Sequence, residues 1–326
     1  MPIRMIDAQA VRRLLPMSDC IDLMRGAFLA AADERIVQPI RQGVMPQDGR
    51  GMIGVMQGFV PDPAWFGLKV VSIFPQAPGS THGSHEGLVL LFEGEHGRLV
   101  AMLDANEITA IRTGAASAQA TDILARPDVR SLAVFGCGEQ ARAHLAAVTL
   151  VRPFEDIMVW GRDFNAAQAF CTAMSAELGR DVRPVASAEE AAGADVLCTT
   201  TAAREPILSC DWLKPGQHLN VVGSSVPSTS EIDVRTVARS RVFVDYLPSA
   251  LALAGDLRRA REAGVIGEDH IVGSVGEVIS GKVAGRRDAA EITLFKSLGM
   301  IAQDIFAAEA VLDRAISQDV GTILPW

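Results

Sequence analysis

The sequence predicts an α/β fold in two domains, one of them built on a parallel sheet with helices on both faces. Three observations carry that expectation. A length of 326 residues exceeds what one ordinary hydrophobic core organises. Beyond Thr113, short apolar runs alternate with helical stretches, the rhythm of strand–crossover–strand units in a doubly wound sheet. One of those runs, Ser131–Phe135, leads straight into a glycine turn and a helical segment.

Taken in order, Asp19–Asp33 places Ile21, Met24, Phe28 and Ala31 on one stripe and predicts an amphipathic helix. The runs Gly51–Phe59, Gly67–Phe74, Gly87–Phe92 and Leu99–Leu103 follow, bounded by prolines and by Gly94 and Gly97. They read as strands joined by turns, with Glu93–Gly97 a surface hairpin loop. Ala115–Ala125 is Ala-rich and helical, ended by Pro127-Asp128. The strands expected next are Ser131–Phe135, Asp156–Trp160, Asp195–Thr199, His218–Val222 and Arg241–Asp245. The closing stretch Ile292–Ile316, with Leu294, Leu298, Ile301 and Ile305, has helical spacing and is expected to leave the second domain and return to the first.

Nearly half the residues are apolar and the net charge is −9, which disfavours nucleic-acid and anionic-membrane partners. No run reaches the roughly 18 apolar residues of a membrane span, and the N-terminus lacks a signal-peptide h-region. The five cysteines (Cys20, Cys137, Cys171, Cys198, Cys210) are scattered and never spaced C-x-x-C, as expected of reduced thiols in a cytoplasm. No metal site is expected: His82-Gly-Ser-His85-Glu86 is not H-E-x-x-H and is interrupted by glycine. Gly276–Lys282 mimics a Walker A loop, but Val283 stands where a Ser or Thr would hold magnesium.

The turn Gly136-x-Gly138-x-x-Ala141 sits between a predicted strand and a predicted helix, Ala141–Leu150. Gly136 permits the tight turn, Gly138 lets a pyrophosphate approach the backbone, and Ala141 lets helix and strand pack closely. Free N–H groups at the helix start then bind the anion. This is a Rossmann-like dinucleotide site. The second strand ends at Trp160-Gly161-Arg162-Asp163, where an NAD enzyme usually carries an acidic residue for the adenosine ribose. Gly161 and Arg162 stand there instead, and a guanidinium suits a 2′-phosphate, so NADP(H) is favoured over NAD(H), with Asp163 still able to serve a free ribose.

Several segments together resemble the ornithine cyclodeaminase/μ-crystallin family: Gly67-Leu-Lys69-Val-Val, Ser84-His85 with Leu88–Phe92, Ile108–Ala116 around Arg112, Phe135–Arg142, Pro206-Ile-Leu, Leu213–Gly216, and Thr293–Gly299 running on to Asp304. The resemblance spans nearly the whole chain in order. It implies a homodimer, a discontinuous α/β substrate-binding and dimerisation domain from residues 1–113 and 301–326, and a Rossmann-like NAD(P)-binding domain from 114–300. It also implies that Lys69 is the active-site lysine, that Arg112 and Arg41 hold the substrate carboxylate, that His85 is a second proton donor, and that Ser225 is a further catalytic candidate. The nucleotide would be met by Thr113, Gly136, Gly138, Glu139, Gln140, Ala141, Trp160, Gly161, Arg162, Thr199 and Thr200. Cyclodeaminases of this family resemble Gly-Gly-Asp-x-Pro after the fourth major strand, whereas this chain has Gly223-Ser224-Ser225-Val226-Pro227. A hydroxyl at Ser225 cannot act as the carboxylate base that activates an amine. The resemblance therefore leans to the ketimine reductase-like branch. It implies an NAD(P)H-dependent reductase of small α-imino acids, with cyclodeaminase, L-alanine-type dehydrogenase and non-catalytic crystallin-like binding protein as rivals.

Overall fold

Alternating side chains sort the strands into two sheets. The computed structural model describes residues 2–74 and 85–325, the side chains of His85 and Glu268 excepted. His82–Ser84 of the rejected metal motif lie outside those residues. The chain begins β1 (Ile3–Ile6), α1 (Ala8–Leu14), α2 (Met17–Ala32), β2 (Gln42–Val44), β3 (Met52–Pro61), β4 (Ala64–Ile73), β5 (His85–Glu93), β6 (Leu99–Asp104) and α3 (Ala105–Leu124). Then come β7 (Ser131–Phe135), α4 (Glu139–Val151), β8 (Asp156–Trp160), α5 (Phe164–Leu178), β9 (Arg183–Pro184), α6 (Ala188–Ala191), β10 (Val196–Thr199) and β11 (His218–Val221). The remainder is α7 (Val234–Arg239), β12 (Ser240–Val244), α8 (Leu247–Leu253), α9 (Gly255–Glu262), β13 (Ile271–Ser274), α10 (Val275–Ile279), β14 (Ile292–Lys296), α11 (Ile301–Ser317) and β15 (Thr322–Leu324).

Two compact units result, Met1–Arg112 with Met300–Trp326 and Thr113–Gly299. In the first, the strand order is β15-β1-β6-β5-β4-β3-β2; β2 to β6 pair antiparallel and β1 joins parallel to β6. α11 lies on β3, β4 and β5 and against α2. A pair of facing glycines admits it: Gly58 and Gly67 are register partners. A Cβ on Gly67 would stand 2.3 Å from Ile305 Cγ1, and one on Gly58 2.6 Å from Ile301 Cγ2. The other face of this sheet is apolar too, with Met5, Val44, Ile53, Phe66 and Leu88 all exposed.

In the second unit the order is β13-β12-β14-β11-β10-β7-β8-β9, and every pairing is parallel. The strands are apolar on both faces and buried, β7, β10 and β14 almost throughout. Strand order reverses between β7 and β10, which makes the carboxyl end of that pair the topological switch point.

Two expectations are corrected. The stretch from Ile292 is not one helix: Ile292–Lys296 is β14, hydrogen-bonded between β11 and β12, and Gly299 at φ 78° precedes α11. All five residues of β14 are buried, and a short run buried on every side has no periodicity to separate strand from helix. The helix placed at Ala115–Ala125 begins ten residues earlier, at Ala105, where Asp104 Oδ1 accepts the Glu107 N–H at 2.8 Å. Arg112 and Thr113 are therefore helical residues.

Two buried histidines complete the second unit's core and are fixed as neutral groups. His144 Nδ1 donates to the Gln140 carbonyl at 2.7 Å, so Nε2 accepts from Ser117 Oγ at 2.8 Å. Burial lowers its pKa to about 4, and burial with the Arg286 charge lowers that of His218 to about 3. Both folded values lie below the unfolded one near 6.5, so this contribution is fully present above pH 6.5 and is lost as pH falls through 4. Denaturant unfolding at pH 5 should show a loss of about 2 kcal/mol per histidine relative to pH 7.5; equal stability at the two pH values would contradict the buried neutral assignment.

Candidate active site

The alternation of β4 directs Gly67, Lys69 and Val71 to the face that α11 covers, and Lys69 is buried. On α11, the spacing of Ile301, Asp304, Ile305, Ala308 and Val311 makes the buried stripe, and Asp304 lies on it with no exposed side-chain surface. The glycine pair brings helix and strand close enough for Lys69 Nζ to donate to Asp304 Oδ1 at 3.0 Å. Arg112, from α3, donates through Nε to the same oxygen at 3.3 Å and through Nη1 to Gln303 Oε1 at 2.8 Å. Arg41, just before β2, adds a further positive charge felt at Lys69.

Among the described residues the cluster sets Lys69 and Arg112 against one carboxylate, Asp304, with the Arg41 charge also felt at Lys69, so positive charge exceeds negative at that carboxylate. Burial lowers the Lys69 pKa to about 8; Asp304 pulls it up, while Arg112 and Arg41 push it down. An ordinary lysine titrates near 10.4, so this one exchanges its proton close to neutrality, as a general acid–base group needs. Two polar atoms of the cluster are buried without a partner among the described residues, the acceptor Asp304 Oδ2 and the donor Gln303 Nε2. Orphaned buried polar atoms cost about 1–3 kcal/mol each, and a ligand offering both an N–H and a carboxylate would satisfy both.

In the second unit, β7 runs into Gly136 at φ 118°, a conformation that a side chain would strain. Gly136 N donates to the Trp160 carbonyl at 2.8 Å, and Thr200 closes the turn from β10 by donating N and Oγ1 to Phe135 O. Gly138 is the N-cap of α4 without any side-chain cap, and a Cβ added there would meet nothing within 4 Å. Glu139 and Gln140 open α4, Gln140 Oε1 is buried without a partner among the described residues, and Ala141 is fully buried. Uncapped N–H groups beside open space form an anion cradle, so these residues fit a dinucleotide pyrophosphate. Thr113 Oγ1 is likewise buried and unpartnered.

Trp160 ends β8 and packs its ring 5.8 Å from Phe135, so its side chain contributes to the core of that edge. Gly161 and Arg162 follow; Arg162 is exposed and has no ion-pair partner among the described residues. Asp163 is engaged otherwise: its Oδ1 accepts the Asn165 and Ala166 N–H groups as the N-cap of α5. Thr199 is buried and donates its hydroxyl to Glu231 at 2.8 Å. Ser225 is half-buried on the loop after β11. His85 opens β5 opposite Ile73, and its side chain is outside the described residues. A cavity of about 470 Å³ lies elsewhere, at the amino-terminal edge of β12–β14; the Arg239, Arg241 and Arg287 that line it already bind backbone carbonyls and Glu291.

Sequence reasoning assigned no role to Gln303 or Asp304, nor to the buried ions Glu231, Asp256 and Lys296. Lys296 and Asp304 share one signal, a charged residue in a buried and mostly apolar run; Gln303, Glu231 and Asp256 carry none.

Comparisons with known proteins bear on the whole chain. The model of the ornithine cyclodeaminase/mu-crystallin family matches residues 3–319. Ketimine reductase mu-crystallin of Mus musculus is 36% identical over 287 residues, 88% of each chain. The structure of Thermococcus litoralis Δ1-pyrroline-2-carboxylate reductase in complex with NADH and L-proline superposes with a TM-score of 0.95 at 33% identity, covering 98% of this chain and 99% of that one. An archaeal alanine dehydrogenase dimer with bound NAD gives a TM-score of 0.94 at 30% identity, with both chains fully covered.

The open space at Gly138 gives a direct test. Gly138→Val should leave stability within about 0.5 kcal/mol, since a Cβ there meets nothing within 4 Å and the backbone is extended. Dinucleotide affinity, read by calorimetry, should fall roughly tenfold or more. Unchanged affinity would remove the cradle from the binding site.

Proposed function

Because the chain belongs to the ornithine cyclodeaminase/mu-crystallin family, we propose that it is an NAD(P)H-dependent reductase of small α-imino acids, of the cyclic ketimine or Δ1-pyrroline-2-carboxylate type. The observation that carries the reading is the buried cluster in which Lys69 and Arg112 share Asp304 and leave one donor and one acceptor unsatisfied. An α-imino acid offers a carboxylate for the donors and a protonated nitrogen for the acceptor. Arg112 is held by Nε and Nη1, and its Nη2 has no partner among the described residues. That edge and Gln303 Nε2 would bind the substrate carboxylate, with Arg41 adding charge. Asp304 Oδ2 would accept the substrate N–H, and Lys69 would supply the proton that the nitrogen gains.

Reduced nicotinamide, when bound, supplies the hydride for the imine carbon. The cradle at Gly136–Ala141 would hold its pyrophosphate, and Thr113, with its unpartnered hydroxyl, would contact the same ligand. Ser225 replaces the aspartate of the cyclodeaminase segment, and with no carboxylate there, amine activation and ammonia release lose their base. His85 is kept as a second proton donor. We place the nucleotide-binding role on residues 114–300 and the substrate-binding and dimerisation role on residues 1–113 and 301–326. The exposed apolar face carrying Val44, Ile53, Phe66 and Leu88 is what a second copy would cover.

Steady NAD(P)H oxidation with Δ1-pyrroline-2-carboxylate is the expected result; ammonia from ornithine without net cofactor turnover would overturn it. Thermal protection by cofactor with no turnover of any imino acid would mark a binding protein instead. The Lys69 pKa near 8 gives the pH dependence its sign. The protonated lysine is the acid for reduction, so reductive kcat/KM should be flat below pH 8 and fall about tenfold per unit above it. Oxidation of the amino acid needs the neutral lysine and should rise through the same pH. Limbs of the same sign in both directions would remove Lys69 from proton transfer.

NADP(H) is favoured over NAD(H) because Arg162 is exposed at the ribose position and Asp163 is engaged as a helix cap. A charge-assisted contact to a 2′-phosphate contributes about 1.5–3 kcal/mol. Arg162→Ala should thus lower kcat/KM for NADPH at least about tenfold and change that for NADH less than about twofold. An unchanged NADPH/NADH ratio would contradict the assignment.

A further inference from the structure

At the carboxyl edge of the second sheet a buried carboxylate joins two pieces of chain that leave different strands. Glu231 accepts four donors: Thr201 N at 2.6 Å and Thr201 Oγ1 at 2.8 Å on Oε1, Gly223 N at 2.6 Å and Thr199 Oγ1 at 2.8 Å on Oε2. The first segment follows β10 and the second follows β11. The arrangement leaves no slack, since a Cβ on Gly223 would lie 2.5 Å from Glu231 Oε1 and 2.0 Å from Thr201 O.

Two of the partners of Glu231 are backbone N–H groups, one on each oxygen, and these can only donate; burial raises its pKa above the ordinary carboxylate value, with the Lys296 charge and the donors opposing that rise. Its countercharge is Lys296, fully buried at the end of β14. Lys296 Nζ stands 2.9 Å from Asp256 Oδ2, an ion pair lying off the hydrogen-bond direction. Asp256 Oδ1 in turn accepts Ser230 Oγ at 2.7 Å and the Glu231 N–H at 2.8 Å. Two carboxylates and one ammonium thus lie in a dry core, an arrangement that costs stability unless it specifies a geometry.

That geometry borders the switch point. Thr200, bracketed by the two threonines that Glu231 holds, donates N and Oγ1 to Phe135 O, and its oxygens lie 3.1 Å from where a Gly136 Cβ would stand. In a doubly wound sheet the β7–β9 side takes the adenine half of a dinucleotide and the β10 side takes the other half. Ser225, on the loop that Glu231 fixes through Gly223, belongs to that second side.

We propose that Glu231 is a positioning residue for the nicotinamide half of the cofactor, fixing the Thr199–Thr201 and Gly223–Ser225 segments as one wall. The role rests on the dinucleotide-binding reading above. Glu231 touches no substrate; it acts through the two loops, and the adenine half, bound from β7 and β8, is outside its reach.

The test compares full-length wild type with Glu231→Gln and with the milder Thr199→Val, which deletes one donor and keeps the shape. Binding of NAD(P)H and of the adenine-half probe, AMP or 2′,5′-ADP, is measured by calorimetry alongside steady-state kinetics. Glu231→Gln should weaken NAD(P)H binding about tenfold and lower kcat to a similar extent. It should leave the probe's Kd and the imino-acid KM within about twofold, and Thr199→Val should show the same split more weakly. Equal loss of NAD(P)H and probe in both variants, or no loss in either, overturns the positioning role. Wild-type protein that binds neither NAD(P)H nor the probe overturns the dinucleotide reading itself, and this role with it.

Discussion

The ion cluster of Lys69, Asp304 and Arg112 depends on one close approach, that of α11 to β4 across the Gly58–Gly67 pair. Were either glycine larger, the helix would stand off by the width of a side chain, and Asp304 could not reach Lys69 Nζ at 3.0 Å. A lysine and an arginine buried without Asp304 would each carry an uncompensated charge, at a cost of about 3–5 kcal/mol for breaking such a pair. The same approach sets the chemistry. Burial depresses the lysine pKa, Asp304 restores part of it, and the balance falls near 8. Stability alone does not account for the cluster, because apolar residues would fill the same space at least as well. What it provides is excess positive charge with a spare donor and a spare acceptor, and that is complementary to a small imino acid.

The second unit solves a related problem with the opposite sign. Its turn offers uncapped N–H groups to an anion, and the strands behind it are held in place by buried acids. Glu231 ties two loops, and Asp245 Oδ2 accepts the N–H groups of Leu298 and Gly299 where the chain leaves the sheet. Each acid satisfies backbone donors that irregular chain would otherwise leave unpaired. Order at the carboxyl edge therefore comes from side-chain acceptors, which is how loops that must stay open to a ligand can still be well defined.

Much of the fold was legible in the sequence because its strands are short, apolar and punctuated. β7 and β8 matched to the residue, and the glycine turn falls between a strand and a helix as its spacing required. Legibility failed where burial is uniform. α3 is buried nearly all round with polar and apolar residues mixed on every side, so its first ten residues showed no stripe, and β14 is buried on every side and took on a neighbouring helix's spacing. At the site, family resemblance singled out Lys69 and Arg112 but not the residues that they pair with. Asp304 is 192 residues from Arg112 and 235 from Lys69, and nothing local marks an acid in an apolar stripe as the mate of a distant cation. The same distance hid Glu231, whose donors come from two other loops.

The central claim is that Asp304 and burial together set Lys69 as a proton donor near neutrality. It is tested most directly by titrating the Lys69 side-chain nitrogen by NMR in 15N-lysine-labelled protein, in wild type and in Asp304→Asn. The account predicts a wild-type pKa near 8 and a lower one in the variant, because the carboxylate that raises it has lost its charge. A wild-type value near the ordinary 10.4, or one that Asp304→Asn leaves in place, would contradict it.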